Sequence, residues 1–148
     1  MATSLGQRPP RQRGWQRPAN HWQRLTLAPS PLASSIARVW ISDACLGWGT
    51  PRALRGTRLV ITDLVDNAVQ HAGTTVEITA GIVNGRVHLR VRDGSTAPPV
   101  RRPLEPRRAG APLDVCGLGL RRIERHAADW GTITHQNGKT VWATVPTS

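Results

Sequence analysis

The dipeptide Asn84-Gly85 lies between two β-rich segments, residues 75–83 and 86–92. Asn-Gly is the strongest short-range signal for a β-hairpin, because both residues accept the positive φ angles of the turn that matches strand twist. A second hairpin is predicted about Asn137-Gly138, between residues 132–135 and 140–145. Strands that follow one another as hairpins pair antiparallel, so the chain is not built from alternating strand–helix–strand units.

The segment before the first hairpin contains two predicted helices. Apolar residues at helical spacing indicate a helix over residues 32–46, with Ser30 as its N-cap and the Gly-Trp-Gly sequence of residues 47–49 at its end. Thr50-Pro51 then predicts the start of a second helix, with Thr50 as the N-cap, and Gly73 predicts its end. The broad apolar face of this second helix is typical of a helix that packs against a sheet.

A short strand over residues 21–28 and a helix over residues 117–129 complete the element order β-α-α-β-β-loop-α-β-β. This order predicts an α+β fold, a two-layer sandwich in which helices cover one face of a mostly antiparallel sheet. We expect the domain to span residues 21–148. Residues 1–20, rich in Pro, Arg and Gln, are expected to form a disordered arm. Residues 94–116 show no periodicity, and a segment of that kind inside a domain is usually functional, for example a lid.

The formal net charge of +11 comes from 20 basic and 9 acidic residues, and Lys139 is the only lysine. Such an excess raises the question of nucleic-acid binding. Residues 1–24 hold five arginines and no acid, and further arginines cluster within the predicted lid. We therefore interpret the positive charge mainly as belonging to a solvated arm and to a loop that binds anions. Nucleic acid is the less favoured partner.

The two cysteines, Cys45 and Cys116, do not have the spacing of a metal site. With no apolar span and no signal-peptide pattern, a cytoplasmic protein is expected.

Gly117 and Gly119 lie where the loop meets the last predicted helix. Glycines there allow close backbone approach, and the free N–H groups of a helix start suit a phosphate, although taken alone they more often mark an ordinary tight helix entry. The dinucleotide-binding GxGxxG pattern fails because position 122 is Arg122. A P-loop ending at residues 138–140 fails because position 133 is Ile133 and a strand follows.

Three polar residues are further candidates. Asp63 and Asn67 are four apart on the second helix and project from one face, where an amide oxygen would suit Mg²⁺ and a carboxylate would orient or deprotonate a hydroxyl. A solvent-facing pair is an equally good interpretation of these two residues alone. Asp93 ends a strand, where its carboxylate could accept from an exocyclic amine or simply form a turn.

In this order and spacing, the segments resemble the histidine-kinase-type ATP-binding fold, also called the Bergerat or GHKL fold. The likeness is to its branch of small bacterial anti-sigma-factor serine/threonine kinases and their single-domain regulatory relatives. The family's N box, Glu-Leu-x-x-Asn-Ala, is similar to Asp-Leu-Val-Asp-Asn-Ala at residues 63–68. The glycine boxes are similar to residues 93–98 and 117–120, and the closing hairpin to residues 138–142. The likeness covers about residues 22–146.

The resemblance implies a role for each matched residue. ATP and Mg²⁺ would be the cofactors, with Asn67 as the metal ligand and Asp93 as the acceptor for the adenine amino group. Thr140 would support Asp93 through a hydroxyl or a water, and Asp63 would be the catalytic residue, in the place of the family's Glu. The whole cofactor-binding set would be Asn67, Asp93, Gly94, Ser95, Gly117, Leu118, Gly119, Leu120 and Thr140. The implied partners are a sigma factor, an anti-sigma-factor antagonist or both. A homodimer is compatible with the resemblance, and no membrane is implied.

The family's N box has Glu where this chain has Asp63, and this difference leads to alternative functional hypotheses. Asp is one methylene shorter than Glu, so its carboxylate falls about 1.5 Å short, and a misplacement of about 1 Å lowers rates ~100-fold. The first hypothesis is an ATP-dependent serine/threonine kinase. The second is an ATP-sensing binding module with little or no catalysis. A nucleic-acid-associated protein is the distant third.

Overall fold

The computed structural model describes residues 22–95 and 123–148. Two helices follow the first strand, and the other four described strands come as two consecutive pairs, as the hairpin signals predict. One turn of 3₁₀ helix precedes α2, and residues 123–126 are helical before β4. The elements are β1 (Gln23–Leu27), α1 (Ala33–Gly47), the 3₁₀ turn (Pro51–Ala53), α2 (Leu54–Ala72), β2 (Val76–Val83), β3 (Arg86–Asp93), β4 (Asp129–His135) and β5 (Gly138–Pro146).

The five strands form one sheet in the order β1-β2-β3-β5-β4, and every neighbouring pair is antiparallel. Asn84 and Gly85 have φ angles of 50° and 72°, so the turn between β2 and β3 has the backbone that the dipeptide predicts. The α+β fold with an antiparallel sheet and helices packed on it is confirmed. The central pair, β3 and β5, is far apart in sequence and is registered through eight residue pairs.

The core lies between the sheet and the two helices. Side chains alternate along each strand, so β3 buries Val87, Leu89 and Val91 against the helices and directs the residues between them to the other face. Ile41 of α1 and Ile61 of α2 are fully buried opposite them. Each such side chain contributes about 1.5–3 kcal/mol through removal of apolar surface from water.

Of the two predicted ends of α2, the C-terminal end is confirmed and the N-cap is not. Gly73 has a φ of 59° and ends the helix in the left-handed conformation, as expected for a C-cap glycine. Thr50 does not cap the helix through its side chain, because its hydroxyl donates to the carbonyl of Cys45 at 3.1 Å and a 3₁₀ turn intervenes. Ser30 also lies outside its helix; its hydroxyl accepts from the N–H of Leu32 at 3.0 Å, before α1 begins.

The second hairpin differs from the prediction by one residue. His135 pairs with Gly138, so the turn consists of residues 136–137, and Gly138 is the first residue of β5 with a φ of 153°. The expectation of a helix through residue 129 is wrong at its end. Asp129 pairs with Thr144 at the start of β4, and the N–H of Ala128 already donates to the carbonyl of Thr144 at 2.7 Å. Strand pairing therefore ends the helix earlier than its sequence pattern indicates.

Several expectations lie outside the described residues. The arm of residues 1–20, residues 96–116 of the expected lid, and the glycine box of Gly117, Leu118, Gly119 and Leu120 are among them.

Candidate functional site

The end of β3 meets the beginning of β5 at a buried ion pair. Asp93 is directly opposite Lys139 in the strand register, and both side chains emerge on the helix side of the sheet. The Lys139 Nζ lies 3.1 Å from Oδ1 and 3.0 Å from Oδ2 of Asp93. The two side chains are only 4% and 1% exposed, respectively. Withdrawal of two charges from water costs several kcal/mol per ion, so their close contact is needed to keep both charges in the core.

Gly138 brings the two strands together at this point. A Cβ atom built on Gly138 would lie 2.0 Å from the carbonyl oxygen of Asp93 and 3.2 Å from the Cα of Gly94. Both obstacles are backbone atoms, which cannot rotate away as a side chain can. Only glycine fits here, and the close approach holds the backbone of Asp93 beside the first residues of β5.

The chain after Asp93 is held by two backbone hydrogen bonds to side chains. The N–H of Ser95 donates to Oδ1 of Asp93 at 2.8 Å, and the N–H of Gly94 donates to the hydroxyl of Thr74 at 2.8 Å. The first of these contacts orients the carboxylate and leaves Oδ2 with Lys139 alone among the described residues. One lone-pair position on Oδ2 therefore remains for a further donor.

Helix α2 supplies the opposite side of the site. Leu64, Asn67, Ala68 and His71 share one face of α2, because residues three and four apart lie above one another. Together with the strand residues they form a groove, which we call the α2–sheet groove, lined by Leu64, Asn67, Ala68, His71, Val91, Asp93, Lys139 and Val141. The structure thus brings Asn67 and Asp93 into one groove.

The α2–sheet groove is narrow, with a volume of about 10 Å³. Ligand pockets usually enclose roughly 300–1,000 Å³, whereas this space holds about one water molecule, so a larger ligand would enter only if the groove widened. Its walls are mostly aliphatic, and its polar groups are a carboxylate, an ammonium, an amide and an imidazole. Aliphatic walls with a few fixed donors and acceptors suit a flat heterocycle, whose faces are apolar and whose edge forms hydrogen bonds.

Asp63 lies one turn before Asn67 on α2 and is buried, with 2% of its surface exposed. It is not among the residues that line the groove. The alternative in which the Asp63–Asn67 pair faces solvent is therefore wrong for Asp63.

Asn67 is half-buried at the groove, where its amide oxygen is the kind of ligand that Mg²⁺ accepts. The described residues contain no cluster of three or more His, Cys, Asp or Glu side chains that could hold a metal by themselves. Among the described residues, Asn67 would thus supply one ligand to a Mg²⁺ ion, whose other ligands would be of the water or phosphate oxygen type.

Thr140 is placed differently from the expectation. Its hydroxyl lies 2.8 Å from Nε2 of His135, and the side chain that contacts Asp93 is Lys139. The reason is strand alternation: Lys139 and Val141 face the helices, so Thr140 between them faces the other side of the sheet.

Lys139 and Gly138 are the site residues that sequence reasoning missed. A signal for Lys139 is present, because it is the one lysine among 20 basic residues. Its compact ammonium fits a buried position where the larger planar guanidinium of Arg, with five donors, would need more partners. For Gly138 the signal is weaker, since a glycine beside a turn is ordinary.

The fold and the groove agree with a family comparison. The model of the family described as histidine kinase-, DNA gyrase B- and HSP90-like ATPases matches residues 53–148, which is most of the chain. The chain belongs to this family, whose members bind ATP, usually with Mg²⁺. The match contains α2, the hairpin of β2 and β3, and the final hairpin, the elements that form the α2–sheet groove.

A solved structure of similar fold is that of the RsbU and RsbW domains of Rv1364c from Mycobacterium tuberculosis. The TM-score is 0.61 at 18% sequence identity, over 84% of this chain. The chain spans only 32% of the length of that protein. No curated protein matches the chain in sequence. None of the helices in the described ranges, 22–95 and 123–148, is long and apolar enough to cross a membrane.

Proposed function

We propose that this protein is an ATP-Mg²⁺-binding regulator of the anti-sigma-factor kinase type, which binds a protein partner and phosphorylates it on serine or threonine. The observation that carries the proposal is the placement of Asn67 and Asp93 in one groove, with Asp93 fixed at a strand end and an acceptor position left on Oδ2. An exocyclic amine is a donor of the right kind for that position. The match to the ATPase family and the similar fold of a protein that contains an RsbW domain support it.

In this proposal each residue has a separate task. Asp93 accepts from the adenine amino group and sets the position of the base. The aliphatic side chains of Leu64, Val91 and Val141 contact its faces and exclude water. The amide oxygen of Asn67 holds the Mg²⁺, which neutralises phosphate charge when it is bound. The backbone of residues 117–120 is expected to contact the phosphates.

Asp63 is the proposed catalytic residue for transfer to a partner hydroxyl. A buried carboxylate one turn before the metal-binding amide could orient the nucleophile, provided that the partner brings the hydroxyl within hydrogen-bond distance. Its shorter side chain places the carboxylate about 1.5 Å further back than a glutamate. We therefore expect slow turnover, and Asp63→Glu should raise it.

Nucleotide binding and transfer are tested separately. MgATP should raise the melting temperature of the wild-type protein, and Asn67→Ala should remove most of that rise. Gln70→Ala, on the exposed side of the same helix, is the matched control and should keep it. Transfer is then measured as radiolabel from [γ-³²P]ATP on purified candidate antagonist proteins of the same genome. Absence of any MgATP effect on melting would refute the proposal at its first step.

A second candidate function is favoured by Asp63 specifically. If the shorter carboxylate does not reach a nucleophile, the protein is an ATP-sensing module that binds partners without phosphorylating them. ATP-dependent partner binding with no label transfer, in both wild type and Asp63→Glu, would favour this function. Label transfer that disappears in Asp63→Ala, with ATP binding retained, would favour the kinase.

The helix layer offers a surface for an acidic protein partner. A groove of about 450 Å³, the α1–α2 groove, is lined by Arg38, Pro51, Leu54, Arg55, Arg58, Leu59 and Thr62. Arg38 is oriented by hydrogen bonds to Thr62 at 3.3 Å and Ser35 at 3.0 Å. None of the three guanidinium groups forms an ion pair with a carboxylate of the described residues. Arginines with free donors beside apolar side chains complement a partner segment that carries both acidic and apolar residues.

The partner surface is tested by charge reversal. Arg55→Glu with Arg58→Glu should weaken binding of a cognate antagonist or sigma factor at least tenfold, because attraction becomes repulsion. Arg92→Glu, on the exposed face of the sheet, is the control and should change binding much less. Equal effects of both changes would indicate general charge attraction instead of a docking groove. MgATP binding should be unaffected in both the double variant and Arg92→Glu.

A further inference from the structure

The ion pair between Asp93 and Lys139 has unused hydrogen-bonding capacity. An ammonium group carries three N–H donors, and the two carboxylate oxygens of Asp93 engage at most two of them. Lys139 has no other partner among the described residues. Because Lys139 lines the α2–sheet groove, a remaining donor is available to a ligand there.

The chemistry of the pair restricts what can bind beside it. Oδ2 of Asp93 offers an acceptor, and Nζ of Lys139, 3.0 Å away, offers a donor. The complementary ligand edge is a donor next to an acceptor. In adenine the exocyclic amine is flanked by two ring nitrogens, N1 and N7, each of which accepts a hydrogen bond. An ion pair also carries no net charge, so it suits an uncharged base better than a lone carboxylate does.

The orientation of the pair is fixed by its surroundings. Oδ1 of Asp93 is held by the N–H of Ser95, and the backbone of Asp93 is held against Gly138. Lys139 stands opposite Asp93 in the register of β3 and β5, and its side chain is almost fully buried. A buried lysine held in this way loses little further freedom when a ligand binds.

We propose that Lys139 is a base-recognition residue, which donates to a ring nitrogen beside the exocyclic amine while Asp93 accepts from the amine. The inference rests on the proposed function, since it requires that the base of ATP enters the α2–sheet groove. It adds a residue that reads the base directly. Lys139 thus has a role beyond that of a counter-ion for Asp93.

The test pairs a change in the protein with a change in the nucleotide. Dissociation constants are measured for ATP, 1-deaza-ATP and 7-deaza-ATP, each of the analogues lacking one ring nitrogen. A hydrogen bond from a charged donor corresponds to about 10- to 100-fold in affinity. Wild type should lose that factor with one of the two analogues. Lys139→Met should bind ATP more weakly by a similar factor and should lose nothing further with that analogue.

Two additional variants separate recognition from folding. Lys139→Met leaves Asp93 buried without its counter-ion, so Asp93→Asn with Lys139→Met restores a neutral groove that keeps a carbonyl acceptor. This double variant should fold and should bind ATP, but its amide also carries N–H donors that can reach a ring nitrogen, so the analogues are compared on Lys139→Met. Arg92→Met removes a positive charge from the exposed side of β3 and should discriminate as wild type does.

The outcomes distinguish the two proposals. If wild type binds ATP and both analogues within twofold of one another, or if Lys139→Met keeps the full discrimination, Lys139 does not read the base and ATP binding itself stands. If wild type shows no affinity for ATP, the proposed function fails and this inference fails with it. Discrimination that is present in wild type and Arg92→Met, and absent from Lys139→Met, supports the inference.

Discussion

Gly138→Ala is the substitution for which the structure predicts the largest effect on stability from the smallest change in chemistry. The new methyl carbon would lie 2.0 Å from the carbonyl oxygen of Asp93, and the residue would keep a φ of 153°. Unfavourable backbone conformations of this kind cost about 1–3 kcal/mol, and overpacking costs about 1–3 kcal/mol more. We therefore expect the free energy of unfolding to fall by about 4 kcal/mol, the middle of that range.

The effect is measured by urea unfolding and by thermal melting. For a chain of this length, each kcal/mol corresponds to roughly 2–4 °C, so the melting temperature should fall by about 12 °C. Gly73→Ala is a matched control, because Gly73 also has a positive φ, 59°, but a Cβ there would meet nothing within 4 Å. Its cost should be only the conformational one, about 1–2 kcal/mol. The difference between the two variants isolates the close approach of β3 and β5.

MgATP binding gives an independent readout of the same contact. If β5 moves away from Asp93 to admit the methyl group, the Asp93–Lys139 pair is disturbed, and nucleotide affinity should fall in Gly138→Ala while it is retained in Gly73→Ala. The reasoning would be refuted if the two variants lost the same stability within about 0.5 kcal/mol, the usual error of comparing distant sites.

Three smaller effects follow from other contacts. Burial and the nearby Arg90 lower the pKa of His88, so its protonation favours the unfolded chain; stability should fall as pH decreases through about 6.5, and His88→Gln should flatten that part of the stability–pH curve. Burial raises the pKa of the Cys45 thiol, so in a Cys116→Ser background alkylation by iodoacetamide should be slow in the native protein and fast in urea. Arg86 forms an exposed ion pair with Asp129 at 2.9 Å, and Arg86→Gln should cost less than about 1 kcal/mol in urea unfolding.

Much of the fold is predictable because the signals are local. The Asn84-Gly85 turn needs only its own backbone preference, and Gly73 ends α2 through its own left-handed conformation. Where tertiary pairing competes with such signals, the prediction is wrong. Asp129 continues a helical pattern in the sequence, but its pairing with Thr144 makes it the start of β4. The turn of the second hairpin lies one residue earlier than predicted, because Gly138 pairs with His135 as the first residue of β5.

The site is predictable to the extent that its residues belong to motifs, since Asn67 and Asp93 are matched by the resemblance and line one groove. Lys139 is a different case. Its role depends on the register of β3 against β5, and these strands are separated by a long stretch of chain. A shift of the register by one residue would direct Thr140 toward Asp93, as the sequence expectation had it. No local pattern determines that register.

The direct pairing of β3 with β5 has a consequence for how such proteins can diverge. The two ends of residues 94–137 are held together by eight residue pairs and by the close contact at Gly138, whatever lies between them. Closure of a longer connection costs little, about 0.6 kcal/mol for each doubling of its length. Insertions or deletions in residues 96–122 should therefore leave the end of the α2–sheet groove at Asp93 and Lys139 unchanged. The whole segment could therefore be exchanged without rebuilding the Asp93–Lys139 pair, which we propose to read the base.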